Sequence, residues 1–148
     1  MADEMAVTPY VQIAAFCQTA IQEPNGILSI IRITDRHQIV GPTKELQPTP
    51  INLTLVVILK SGNMQGSATM NIRPATPSGG QLPQASVPVL FEGLERGVGV
   101  VTQMGMLVSE AGLYWFDVLI DDVLLTRIPL RILYAQGQQI GFAPPPAT

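Results

Sequence analysis

The only histidine, His37, follows Asp35 and Arg36, and a carboxylate beside an imidazole can orient a general base. Residues two apart share a face of an extended strand, so Asp35 and His37 do not adopt triad geometry. No serine or cysteine stands at a recognisable spacing from them, and a polar strand end is the stronger reading. The single cysteine, Cys17, falls in a period-two apolar pattern, where burial would raise its thiol pKa and leave it inert. Asp117, Asp121 and Asp122, with Glu110, are the only carboxylates that cluster, and loop-end oxygens of this kind suit a hard cation. Asp117 and Asp121 lie about 13 Å apart along an extended strand, too far for one calcium site. A solvated turn at Asp121 and Asp122 is the simpler expectation. No catalytic, cofactor-binding or metal-ligating residue is therefore assigned.

The remaining chemistry is that of contact. In Tyr114-Trp115-Phe116, alternation sets Tyr114 and Phe116 on one face and Trp115 on the other. With the first two turned inward, Trp115 looks outward as an interface anchor, a half-buried surface residue or a stacking platform for sugar. Trp115, Leu119, Leu125 and Leu133 are the candidate contact residues, on the outward side of the last hairpin.

Composition favours contact too. Apolar residues make up 47% of the 148 residues and charged ones 13%, about half the usual charged share. Little charge is available to cover the outer faces, and exposed apolar patches usually mark interaction sites. Eleven acidic residues against eight basic ones, with no basic run, argue against nucleic acid as a partner. No segment approaches the ~20 apolar residues of a membrane-spanning helix. The acidic start at Asp3 and Glu4 and the lone cysteine suit cytoplasmic residence.

These residues must be positioned by strands, because no segment of ten or more residues shows a convincing helical period. Tyr10 to Ile21 and Ile27 to Thr34 alternate, joined through Pro24, Asn25 and Gly26. Pro24 suits the second position of a type I turn and Gly26 the left-handed position after it, predicting a three-residue bulged hairpin loop. That register sets Cys17 opposite Ile33, Thr19 opposite Ile31 and Ile21 opposite Ser29. Gln38 to Pro50, with three prolines, reads as a connection between sheets. Ile51 to Lys60 reads as a central strand and Gly66 to Arg73 as its half-exposed partner. Pro74 to Gln84 reads as a mobile surface loop. Ser86 to Phe91 and Val98 to Val108 follow, the latter with Gly99 and Gly105 marking a bulge or a close backbone neighbour. Leu113 to Ile120 and Val123 to Leu133 form the last hairpin about Asp121 and Asp122, with Pro129 at an edge or bulge. The expectation is one all-β domain, residues 1–135, built as a two-sheet immunoglobulin-like sandwich of seven to eight antiparallel strands. Residues 136–148, with Pro144, Pro145 and Pro146, form a flexible tail.

Glu110-Ala111-Gly112-Leu113-Tyr114 resembles the tyrosine corner of immunoglobulin-like domains, in which the Tyr hydroxyl bonds to the backbone a few residues upstream. Phe116 stands where true immunoglobulin domains carry a cysteine, so the match implies a sandwich without antibody ancestry. Together with the Phe16-Cys17 strand, the Gly26 hairpin with Ser29-Ile30-Ile31, and the hairpin from Gly112 to Leu130, the chain resembles an uncharacterised group of small bacterial β-sandwich proteins. That resemblance implies a bacterial origin and transfers no catalytic residue. The function expected is a non-enzymatic structural or interaction module, a homo-oligomer or a subunit of a larger assembly, needing no cofactor. A carbohydrate-binding-like module is the alternative.

Overall fold

The computed structural model describes residues 8–137. Alternation along each segment produces nine strands: β1 (Tyr10–Gln22), β2 (Leu28–Thr34), β3 (Arg36–Gly41), β4 (Thr49–Lys60), β5 (Gln65–Ala75), β6 (Ala85–Glu92), β7 (Gly97–Val108), β8 (Gly112–Ile120) and β9 (Val123–Gln136). They form a four-stranded sheet in the order β2-β1-β4-β7 and a five-stranded sheet in the order β3-β9-β8-β5-β6. The inner faces meet through Phe16, Leu55, Val57 and Leu59 on one side and Met70, Ile72, Tyr114, Phe116, Leu130 and Ile132 on the other. Phe16 and Phe116 join the sheets edge-to-face, ring centroids 4.7 Å apart. The fold is an all-β, immunoglobulin-like sandwich.

Two locally specified features agree with the sequence. The β1–β2 loop closes with Gly26 N donating to Glu23 O at 2.9 Å and Glu23 N donating to Ile27 O at 2.8 Å, with Gly26 at φ +84°. Cys17 then faces Ile33, Thr19 faces Ile31 and Ile21 faces Ser29. The Tyr114 hydroxyl donates to the Glu110 carbonyl at 2.6 Å, closing the tyrosine corner. Gly112 is required there, because at φ +135° a Cβ would stand 2.8 Å from Pro77 Cγ.

Four differences have physical causes. Gly66 to Arg73 does not pair with Ile51 to Lys60: β5 lies between β8 and β6 in the other sheet, and the two segments meet across the core through their apolar inner faces. Residues 38–41, read as the start of a connection, belong to a further strand, Arg36–Gly41; it pairs parallel with β9, beside Arg131 to Gln136, so the sandwich is not wholly antiparallel. A pairing partner so remote along the chain leaves no local pattern. The segment Pro74 to Gln84 is partly strand and partly a tied turn, with the Glu110 carboxylate accepting from Ser78 N at 3.0 Å and Ser78 Oγ at 2.8 Å. Gln136 ends β9, and the remaining tail, 138–148, lies outside the described residues.

Cys17 is buried as expected, and burial pushes its thiol up, but it lies outside the inter-sheet core. Alternation from Phe16, which points inward, places it on the outer face of the four-stranded sheet. Val56, fully buried, shares that face. What covers them follows from the course of the β1–β2 hairpin. Pairing of β1 with β4 ends at Cys17–Thr54, and the β1–β2 ladder skips Gln18 and Arg32, where Arg32 takes φ +58°. A straight continuation would carry Gln22 toward the Thr49 end of β4, whereas Gly99 pairs with Ile58 near the opposite end. Yet Gln22 lines a cleft with Val98, Gly99 and Val101, and a Cβ on Gly99 would meet Leu28 Cδ2 at 4.0 Å. The hairpin tip is thus an arm that bends at Gln18 and Arg32 and folds back across its own sheet. Neither a bulge nor a close backbone neighbour accounts for these glycines: β7 pairs with β4 without a register shift, the atom near Gly99 belongs to a side chain, and at Gly105 nothing lies within 4 Å.

Candidate functional site

The two inner faces are consumed by the core, so the candidate sites lie on the outer faces. On the five-stranded sheet, register fixes the outward rows. Trp115 stands between Ala75 of β5 and Pro129 of β9, Asp117 between Arg73 and Arg127, and Leu113 beside Arg131, which in turn pairs with Arg36 of β3. Four of the eight basic residues therefore converge on one face: Arg36, Arg73, Arg127 and Arg131. They come from three strands, β3, β5 and β9, and leave no basic run, which is why they are not evident along the chain.

Three of the four are committed to carboxylates. Arg127 Nε meets Asp117 Oδ1 at 2.8 Å while its guanidinium carbon sits 5.1 Å from the centroid of the Trp115 ring. Arg73 reaches Asp122 at 3.2 Å and donates to Gln84 Oε1 at 2.9 Å. Arg36 Nε meets Asp35 Oδ1 at 3.2 Å. The side chain of Arg131 has no such partner among the described residues. Arg131 and Arg36 border a cleft of about 340 Å³ whose other walls are Asp35, Leu113, Pro129 and Leu133.

Pro129 explains how the cleft stays open. Arg131 N donates to Asp35 O on the β3 side at 3.0 Å. Backbone N–H groups alternate in direction along a strand, so the Pro129 nitrogen faces the same side, just before β3 begins at the Arg36–Arg131 pair. The missing donor sits at a local edge, as a proline in a sheet requires.

The sequence-predicted contact residues are only partly assembled. Trp115 and Leu133 lie on this face, Trp115 half-buried beside Arg127 and Leu133 partly exposed. Leu119 shares the face, opposite Asn71, but is buried there, and Leu125 does not join them. The register of β8 and β9 shifts between Val118 and Leu119, setting Val118 opposite Thr126 but Leu119 opposite Leu124. Leu125 is the extra residue of that bulge and packs against the core, while Leu119 is only 6% exposed. A bulge breaks the parity on which the outward assignment rested.

The other chemical candidates take structural roles. Asp121 and Asp122, at φ +46° and +68°, form the tight hairpin turn that two left-handed residues make, and Asp121 Oδ1 accepts from Thr69 N at 3.0 Å. Asp117 and Glu110 are held by Arg127 and Ser78. Among the described residues no three His, Cys, Asp or Glu side chains are grouped to hold a metal ion. His37 is half-buried and shares a cleft of about 250 Å³ with Phe16, Cys17, Arg36 and Thr54, opened where β1 departs from β4. With its thiol pushed up by burial, Cys17 stays protonated there at neutral pH.

The outer face of the four-stranded sheet differs in kind. Its outward positions include Ile31 and Ile33 on β2, Ile13, Ala15 and Cys17 on β1, Thr54, Val56 and Ile58 on β4, and Val101, Gln103 and Leu107 on β7. None of these is charged. Ile33 is 66% exposed, and Ile21, Ile31 and Leu107 are also open to solvent.

The strands and their order define an immunoglobulin-like sandwich. The chain belongs to a family of unknown function, DUF6941, whose model matches residues 12–133. No curated protein matches it. Among solved structures it is similar to an immunoglobulin-like protein from Pseudomonas aeruginosa, at 13% identity and TM-score 0.43, over 86% of this chain and 98% of that one. It is also similar to the alkylpurine DNA glycosylase AlkC of Pseudomonas fluorescens, at 8% identity and TM-score 0.48, over 87% of this chain and 31% of that one. A β-glucosidase from Listeria innocua matches at 10% identity and TM-score 0.45, over 84% of this chain and 16% of the enzyme. Among the described residues no helix is long and apolar enough to cross a membrane.

Proposed function

We propose that this protein is a non-enzymatic interaction module that acts by self-association through the outer face of its four-stranded sheet. The observation that carries the reading is the uncharged, isoleucine-bearing surface formed by Ile13, Ile31, Ile33, Val101 and Leu107 together with the folded-back arm, which exposes Ile21. A second copy is the fitting occupant. The chain carries a net charge of -3, and apposing two faces whose charges are confined to Lys60 and Arg32 at their margins brings few like charges together. The bacterial cytoplasm, where Cys17 stays reduced, is the compartment that goes with this reading. The carbohydrate-binding alternative is set aside because Arg127 already stands against the Trp115 ring that a sugar would stack on.

The test is sedimentation velocity on the wild-type chain and on Ile33→Glu, a substitution at an exposed position that leaves the core intact. The expected result is a discrete oligomer for the wild type and a monomer for the variant. A monomeric wild type at tens of micromolar, or an oligomer indifferent to the substitution, overturns the proposal.

A further inference from the structure

We infer that the cleft between Arg36 and Arg131, on the outer face of the five-stranded sheet, binds an acidic polypeptide segment: an extended chain presenting a carboxylate next to an apolar side chain. The charge arrangement points there. Arg36 and Arg131 are register partners on adjacent strands, and like charges directly opposite one another in a sheet are destabilising. Asp35 relieves only one of them, through Arg36 Nε. Arg131 stays uncommitted among the described residues, beside an open volume of about 340 Å³. A carboxylate placed between the two guanidiniums accepts from both in the geometry that favours Arg over Lys at such sites.

The rest of the cleft selects the ligand class. Leu113, Pro129 and Leu133 form an apolar wall beside the cations, which gives an apolar side chain somewhere to go and gives a bare phosphate nothing. One residue beyond lies Trp115, cross-strand partner of Pro129 and neighbour of Arg127. Tryptophan and arginine are the side chains most enriched where protein interfaces concentrate their binding energy. The open edge beside Pro129 leaves room for an extended segment where β3 has not yet begun.

The experiment titrates a fluorescein-labelled hexapeptide of alternating Leu and Glu into the full chain, followed by anisotropy, with the Leu–Gln counterpart as control. Saturable binding that weakens as salt is raised is the expected result, with the Gln peptide at least tenfold weaker. Arg131→Gln should weaken binding about tenfold. Asp35→Asn should tighten it severalfold by removing the internal competitor, a gain that no misfolded variant would imitate. Equal binding of the Gln peptide, no change in Arg131→Gln, or tighter binding of a thymidine hexanucleotide in competition would each overturn the proposal. The surface lies on the opposite sheet from the self-association face, so Ile33→Glu should leave peptide binding unchanged. Either reading can therefore fail alone.

Discussion

The two outer faces are made of the same backbone and the same alternation, yet they solve the problem of facing outward differently. The four-stranded sheet carries aliphatic side chains on its outside and shields part of them with a piece of itself, the bent β1–β2 arm. The five-stranded sheet carries arginines and one tryptophan, covers the tryptophan with no more than Arg127, and neutralises three of its four cations with neighbouring carboxylates. Burial follows from this. Val56, on an outer face, is 0% exposed, whereas Trp115 at a comparable depth in its sheet is only half-buried. The inner face of a sandwich is thus not its only dry region. An outer face becomes dry where a hairpin outruns its partner strand and has apolar surface to fold onto.

The largest expected effect probes that dry region. Val56→Asp would bury a carboxylate with no cation among its cross-strand partners, Ala15 and Val101, at a cost of about 3–5 kcal/mol, comparable to breaking a buried pair. The introduced carboxyl would be held above its ordinary value by burial, so the variant should be more stable at pH 4 than at pH 7. Urea melts at both pH values check this. A cost under about 1 kcal/mol would mean that the arm does not cover Val56.

Tyr114→Phe comes next and serves as a control belonging to neither face. Removing the hydroxyl leaves the Glu110 carbonyl without its 2.6 Å donor, an effect of about 1–3 kcal/mol. Burial foremost, with the nearby Glu110 charge, holds the Tyr114 hydroxyl above its ordinary value, although its bond to the Glu110 backbone lowers it in part. The fold therefore favours the protonated form. That contribution is intact below the ordinary tyrosine value of about 10 and is lost as pH climbs past it. The wild type should show an alkaline loss of stability that the Phe variant lacks, measured by denaturant melts between pH 8 and 11.

How much of this comparison the chain discloses in advance depends on how far apart the deciding residues are. The Gly26 loop fixed the register of β1 on β2, and Glu110, Gly112 and Tyr114 marked the corner, because in each case the interacting groups lie within a few residues. Alternation told which residues share a face, such as Cys17 with Ile33, without telling which face meets the core, and so Cys17 is dry on the outside. The parallel pairing of β3 with β9 joins residues such as Arg36 and Arg131, far apart in sequence, and the four arginines meet only once that pairing is known. Leu125 turned from the outer face for a different reason: a single bulge on β9 reversed its parity near the turn, whereas Leu119 on β8 kept its outward place and is buried there.

A smaller effect sharpens the account of the arm. In Gly99→Val the added Cβ would touch Leu28 Cδ2 at 4.0 Å, and the two methyl groups beyond it would intrude on the arm. The arm should lift with a stability loss of about 1–2 kcal/mol, within the usual range for overpacking. Hydrogen exchange should accelerate at Ala20 and Ile30 while Leu55 and Phe116 stay protected. Gly105→Val is the matched control, since no atom stands within 4 Å of its Cβ position. If both variants exchange alike, the arm does not rest on Gly99.

The smallest expected effect belongs to the other face. Arg127→Gln removes a cation from Trp115 and a partner from Asp117, but both charged groups are partly solvated, with the side chains 53% and 34% exposed. Exposed pairs contribute about 0–1 kcal/mol, and an exposed cation–π contact is of similar size, so the melting temperature should barely move. The informative readout is spectroscopic. With the guanidinium gone, the indole face opens to water, and Trp115, the only tryptophan in the chain, should shift its emission to longer wavelength. A large loss of stability would mean that the arginines hold the five-stranded sheet together, and the contrast between the faces would become one of degree. A spectral shift with unchanged stability would mean that Arg127 covers the indole without holding the sheet together, leaving the aliphatic face to carry the packing.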